Sequence, residues 1–497
     1  MDINRAINSN LIKPSNIKKT FLVNTKKLIF STLIIFVLGV LLFLTNNFTS
    51  SDKIYSYYFI IIYVISFFAI WNVTNKKITP FVLFYLTFGL FIGGRFIAVA
   101  FSPYYENLWR PTLFMKNYFI SNNLKSETIS HILEFIGFIS LGYIIIKQKK
   151  SNIIKKKSFF DFNERELKTI NIILKYVFPI FFITTIYGDL LAIKTALSEG
   201  YYSLYEGQGS TEGGGLLSSL FSSFFSICFG IALAVGDPSN RKKFIILFVL
   251  DACLIMFIGS RGGFGASALL LLWLYSQSHN ISLKRLILYG FFSLIALLVI
   301  FSFTIRGEEK GFNLNNFNFV LSTFFYGQGV TMIVFNTIKF VPHFPTLSYL
   351  TAVFPFAIPI YRIISGTRPP SYEFSFSNYF AKTINSELYF SGQGMGWTIL
   401  GDIYLFSFGS MIFFCLLALL LGIGFAWVEN KAQYNNFWKI FLYSFITLIV
   451  ILPRGSIMRI LPKIVPFALY FSIFILIIRI FIQLNDKGIL KKNIYSK

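Results

Sequence analysis

Apolar runs recur along this chain at about the length needed to cross a bilayer, and that feature limits its folds more than any other. About twenty consecutive apolar residues span the hydrocarbon core as a helix. Backbone polar groups must find their partners within the protein there, which a helix provides. Runs at 28–45, 54–71, 80–101, 128–146, 170–187, 216–236, 244–258, 264–277, 286–305, 398–427, 438–453 and 463–482 predict about twelve spans. The expected fold is an all-α polytopic membrane protein. No internal repeat or low-complexity linker divides it, so 1–497 reads as one integrated domain.

Composition and charge fit that reading. The chain is 55% hydrophobic and 13% charged, with a mean hydropathy of +0.65. A net charge of +24 in a soluble protein would suggest nucleic acid. Here the Lys and Arg gather in short loops: Lys26-Lys27, Lys76-Lys77, Lys147 to Lys157, Arg241-Lys242-Lys243, Lys284-Arg285, Lys431 and Lys491-Lys492. That is the inside-positive pattern, with both termini cytoplasmic and no nucleic-acid partner. Cys228, Cys253 and Cys415 all lie in apolar runs, which argues against a disulfide framework or a zinc site. The first run follows a polar basic leader without a small-residue cleavage site, so it is expected to be a retained helix.

The stretch 306–397 breaks the rhythm. It holds two proline clusters, at 341–345 and 368–370, and closes on Phe390-Ser-Gly-Gln-Gly-Met-Gly396. Its aromatic and apolar content argues against disorder, and an ordered loop of this length is usually functional. It is expected to fold as a subdomain of short helices over a site at the outer membrane face. The other outer pieces are 102–127, 188–215, and the Pro453-Arg-Gly-Ser456 turn leading to Arg459. Gly259-Ser-Arg-Gly-Gly263 joins two helices at the same face.

Arginine on that face is the main chemical signal. Arg261, Arg306, Arg362, Arg368, Arg454 and Arg459 stand where the inside-positive bias should deplete them, and Arg261, Arg306 and Arg454 sit beside glycine. A guanidinium offers a planar, always-charged fork that matches phosphate. Snorkelling to headgroups accounts equally well for any single one. For Arg261 and Arg454, in tight glycine turns, ligand binding is the better account. Within the spans, Arg95 and Glu134 lie at comparable depth and are expected to pair. His131 shares a helix face with Glu134. Asp251 has no local partner and could reach a site arginine from beneath. The candidate bases are His343, Glu373, Glu387 and Asp402. Histidine suits proton acceptance near neutral pH, and prolines on both sides hold His343. Asp402 is better placed to orient an arginine. There is no Asp-x-Asp pair, Walker A loop or His-Glu-x-x-His motif, so neither metal nor cofactor is expected.

Gly259-Ser-Arg-Gly262 resembles the turn shared by O-antigen polymerases of the Wzy family and O-antigen ligases. The glycine-rich run leading to Gly401-Asp-Ile-Tyr-Leu-Phe-Ser-Phe-Gly409 resembles the segment before a late span in the same group, and Pro453-Arg-Gly455 is a weaker match. The resemblance implies a GT-C-like glycosyltransferase of the bacterial inner membrane with a periplasmic active site. It would move a growing glycan from undecaprenyl diphosphate to a lipid-linked repeat unit, among membrane lipids and with a chain-length regulator protein as a further partner. Arg261, His343, Glu373 and Asp402 would then be catalytic. Arg306, Arg362, Arg368, Arg454 and Arg459 would bind the diphosphate, and Tyr201, Tyr202, Tyr205 and Tyr372 would stack on sugars. An O-antigen ligase and a lipid-linked oligosaccharide flippase stay open as alternatives.

Overall fold

A computed structural model describes residues 51–115, 120–148, 159–199, 216–257, 261–279, 281–303 and 317–486. These residues are helical, joined by turns and short extended segments. In chain order the helices are α1 (Asp52–Val73), α2 (Pro80–Phe91), α3 (Gly94–Phe101), α4 (Asn122–Gln148), α5 (Glu164–Glu199), α6 (Leu216–Ala234), α7 (Pro238–Phe257), α8 (Arg261–Ser278), α9 (Leu283–Phe303) and α10 (Phe317–Gln328). They continue with α11 (Thr331–Ile338), α12 (Thr346–Val353), α13 (Ala357–Ser365), α14 (Ser371–Phe374), α15 (Phe376–Ile384), α16 (Ser386–Phe390), α17 (Ile399–Phe406), α18 (Met411–Lys431), α19 (Asn436–Val450) and α20 (Ile464–Asp486).

Among the described residues, 6 helical stretches are long and apolar enough to cross a membrane: Asp52–Val73, Asn122–Gln148, Glu164–Ser198, Phe317–Ile338, Met411–Lys431 and Ile457–Leu484. The pair α2–α3, bent by 54°, would make a seventh. The expected run at 28–45 lies outside the described residues. Helices α6, α7, α8, α9 and α19 occupy the other expected spans. Two runs expected to be continuous are broken. The 80–101 run bends between α2 and α3, and the 398–427 run parts into α17 and α18 at Phe408 (φ 52°) and Gly409 (φ 74°), both left-handed.

Local signals set the helix starts. Thr79 accepts a hydrogen bond from the Val82 amide, and Pro80 fills the first helical position, where its missing N–H is no loss. Asn163 and Glu166 form a reciprocal capping box at the head of α5, each side chain accepting from the other's amide at 2.8 Å. Glu166 also accepts from Arg479 Nε at 2.7 Å, which ties α5 to α20.

The central contact is between α4 and α18, which run parallel. Gly142 lies against the Leu419 carbonyl and Gly422 against the Ile139 carbonyl, so closely that a Cβ at Gly422 would fall 2.0 Å from that oxygen. Lipid is as apolar as the side chains, so helices in a membrane associate through close packing at small residues and through polar contacts. Both occur here. At one end Glu429 is buried and accepts from the Phe81 amide at 2.9 Å and Tyr143 Oη at 2.6 Å. It also pairs with Lys147 at 2.9 Å. The same carboxylate therefore joins α2, α4 and α18. The opposite end holds the 102–112 loop, helices α12–α17 and the turn 451–463. There Asp52 accepts from the Leu108 amide at 2.9 Å and Trp109 Nε1 at 3.1 Å.

Two expected intramembrane contacts are corrected. Arg95 does not pair with Glu134. The bend after α2 turns it toward the 102–112 loop, where Nη1 donates to the carbonyls of Leu108 (2.7 Å) and Arg110 (2.9 Å) and the guanidinium lies 4.3 Å from the Tyr326 ring centroid. Asp251 of α7 has the Asp189 carboxyl of α5 as its neighbour rather than an arginine from the outer face.

Gly422→Ala is expected to destabilise the protein by about 1–3 kcal/mol, because the added methyl group must push two backbones apart. Gly424, two residues on and on the other side of the helix, with nothing within 4 Å of its Cβ position, should accept alanine without loss. Thermal unfolding in detergent would compare them. Equal midpoints for the two variants would show that the glycine contact is not what holds the pair.

Candidate functional site

The site is built on the turn that follows α19. Leu452-Pro453-Arg454, Ile457–Arg459 and Leu461–Lys463 are three successive 3-10 turns. Pro453 and Pro462 sit near the start of the first and third, where proline presets the backbone. Ser456 caps the middle one by accepting from the Met458 amide at 3.1 Å.

Asp402 fixes this turn. It is fully buried on α17. One carboxyl oxygen accepts from Trp397 Nε1 at 2.7 Å and Ser456 Oγ at 3.2 Å, and the other from the Ile457 amide at 2.6 Å. Burial pushes the carboxyl up to about 7, against these three donors, which favour the ionised form. With both oxygens engaged, Asp402 orients a turn rather than an arginine side chain. Its partner Trp397 stacks on Phe376 at 6.0 Å and packs against Phe344 and Phe380. Tyr349 and Phe406 meet Phe376 from the other side. The 341–397 stretch therefore gathers its short helices around an aromatic cluster, and Asp402 ties that cluster to the arginine-bearing turn.

The sequence-predicted residues distribute as follows. Arg454 is exposed, with Nη1 3.3 Å from Gln328 Oε1 and the guanidinium 5.7 Å from the Phe91 ring centroid. Arg459 is exposed on the next turn. Arg362 is exposed on α13, and Arg368 is half-buried beside the Phe374 ring. His343 is exposed in the extended segment before α12. Glu373 is half-buried on α14, where its carbonyl accepts from Ser348 Oγ at 3.0 Å. Glu387 is exposed on α16. Tyr372 lies under Lys382, whose Nζ is 3.3 Å from the ring centroid. Arg261 opens α8, where its backbone alone is described. Arg306, Tyr201, Tyr202 and Tyr205 lie outside the described residues.

One cluster was not anticipated. The Lys339 side chain is buried and donates to Glu127 Oε1 at 2.8 Å, joining the end of α11 to the start of α4. His131 Nδ1 lies 2.8 Å from the Glu127 carbonyl and 3.4 Å from Lys339 Nζ. Phe335 and Tyr404 both face the ammonium at 5.3 Å. The available signal was a single lysine between Ile338 and Phe340, closing an apolar run with Glu127 as a partner remote in sequence.

The family model of O-antigen polysaccharide polymerase Wzy matches residues 27–487, nearly the whole chain. The chain belongs to the Wzy family. No curated protein and no solved structure gave a match. Wzy members are polysaccharide polymerases of bacterial membranes that act on lipid-linked oligosaccharide repeat units. The bundle of apolar helices, with exposed arginines at its loop-bearing end, is compatible with that activity.

Asp402 generates a prediction with a definite sign. Its carboxyl titrates near 7 in the folded protein and near 3.9 in an unfolded chain. The folded form holds the proton more tightly, so this group's contribution to stability falls as pH rises from about 4 to about 7. Asp402→Asn should abolish that slope. It should also cost about 1–3 kcal/mol at low pH, by turning an amide NH2 toward the Ile457 N–H. Unfolding of both proteins in detergent across this range would show it, and parallel curves would contradict it.

Proposed function

We propose that this Wzy-family chain transfers a growing glycan from undecaprenyl diphosphate to the sugar end of a second lipid-linked repeat unit. The reaction is placed at the periplasmic face of the inner membrane and needs no metal. The observation that carries the reading is Arg454: an exposed guanidinium on a turn clamped by Asp402, at the end of the bundle where the loop helices gather. The other end carries Lys76, Lys77, Lys147 and Lys431, the pattern of a cytoplasmic face.

In this reading the glycosidic bond to the diphosphate breaks as the acceptor hydroxyl attacks the anomeric carbon. Negative charge grows on the departing diphosphate, and Arg454, Arg459 and Arg261 stabilise it, with Arg306, Arg362 and Arg368 drawn in from the loop. Preorganised guanidinium groups at the leaving group can do the work of a cation. His343 accepts the acceptor proton, with Glu373 and Glu387 as the nearest alternatives in sequence. Asp402 acts as a positioning residue, since its oxygens already hold Trp397, Ser456 and Ile457. Tyr372, Tyr201, Tyr202 and Tyr205 offer ring faces to sugars, and a chain-length regulator sets product size from outside the bundle.

Arg454→Ala is expected to reduce polymerisation by purified protein at least tenfold, and Arg454→Lys to recover only part of it, because a point charge lacks the bidentate fork. The His343→Ala variant should lose turnover while still binding the donor lipid. Polymer of ordinary length from Arg454→Ala, at equal protein level and unfolding midpoint, would remove this residue from the diphosphate site.

A further inference from the structure

Helices α12 and α13 turn a continuous apolar face outward. Ile363 is 83% exposed and Ile364 81%, with Leu350 and Val353 each at 53%. Phe354, Phe356 and Ile360 are exposed beside them. A nine-residue helix, Ala357–Ser365, that buries only Ala357 and points isoleucines outward is not packed for water. Its one charged residue, Arg362, is two positions on from Ile360 and so lies on the opposite side of the helix from Ile360, Ile363 and Ile364, and Gly366 ends the helix in the left-handed conformation (φ 71°).

Helix α12 packs against the 457–459 and 461–463 turns, which lead directly into α20. Leu461, Val465, Leu469, Ile473, Leu476, Ile477 and Ile480 are exposed at helical spacing along that stretch, which is long and apolar enough to cross a membrane. That stripe faces acyl chains when the stretch is in a bilayer. The exposed face of α12–α13 therefore adjoins the lipid-facing side of α20 at its membrane end, where headgroups begin.

We infer that α12 and α13 are an interfacial anchor, with Ile360, Ile363 and Ile364 inserted among the acyl chains at the membrane surface. Short apolar helices with a cation lie at this depth, with the apolar face in the hydrocarbon boundary and the cation at the phosphates. Arg362, on the side away from the isoleucines, has a three-carbon stem that lets its guanidinium reach that layer. The occupant is the bilayer itself. Neither the donor lipid nor a protein is required, so the inference stands whether or not Arg454 binds diphosphate.

The test places a nitroxide amino acid at Ile360, Ile363 or Ile364 of the full chain in nanodiscs of phosphatidylethanolamine and phosphatidylglycerol. Accessibility to oxygen and to a water-soluble nickel chelate is read by power saturation. Ile473 on α20 serves as the lipid-facing reference and Glu387 on α16 as the water-facing one. Labels on α13 should favour oxygen over the chelate by several-fold, as at Ile473. Labels that respond to the chelate as Glu387 does would overturn the inference. So would labels shielded from both reagents, which would mean that a second copy of the chain or another protein covers this face. The three positions are exposed, so labelling them should leave the fold intact, and agreement among them excludes a local artefact at one.

Discussion

Everything at the loop-bearing end of this protein depends on how closely α4 and α18 approach each other. Two glycines, Gly142 and Gly422, let backbone meet backbone. Glu429 then fixes the register at the other end by holding Phe81, Tyr143 and Lys147 at once. In a bilayer such contacts substitute for the hydrophobic drive that assembles a soluble core. They also set the height of α17, which precedes α18 across the left-handed break at Phe408 and Gly409. A shift of α18 would carry Asp402 with it.

Asp402 passes that geometry on to the turn that carries Arg454. A buried carboxyl with three donors is costly to misplace, because each donor left unmade costs about 1–3 kcal/mol. Its two oxygens join the end of the long loop, through Trp397, to the arginine turn, through Ser456 and Ile457. The loop is thus attached at both ends. Lys339 and Glu127 hold the start of its 341–397 part to α4, and Asp402 holds its close to the 451–463 turn. Between those two attachments lie the exposed His343 and Arg362 and the apolar face of α12–α13.

Much of this was legible in the residues. Apolar run length identifies the spanning helices, and proline and glycine mark the loop. The Pro-Arg-Gly and Gly-Asp signatures point to the turn and to its clamp. What could not be read were contacts between elements distant in sequence. A straight helix over 80–101 places Arg95 near Glu134, whereas the 54° bend sends it to the carbonyls of Leu108 and Arg110. Asp402 was expected to face an arginine side chain, but the nearest donors belong to backbone and side chains of the turn that carries the arginine. The count of spans was less readable still. Run length alone does not distinguish the unbroken α18 from the interrupted 80–101 run, and Phe317–Ile338 meets the length criterion while comprising two helices.

The most direct measurement uses purified protein in proteoliposomes, supplied with a lipid-linked repeat unit in EDTA. Glycan length and released undecaprenyl diphosphate are followed together. The account predicts a ladder of lengthening glycans, with one lipid diphosphate freed for each new linkage and no need for added metal. Repeat units that stay single, or that polymerise only when a divalent cation is restored, would contradict it.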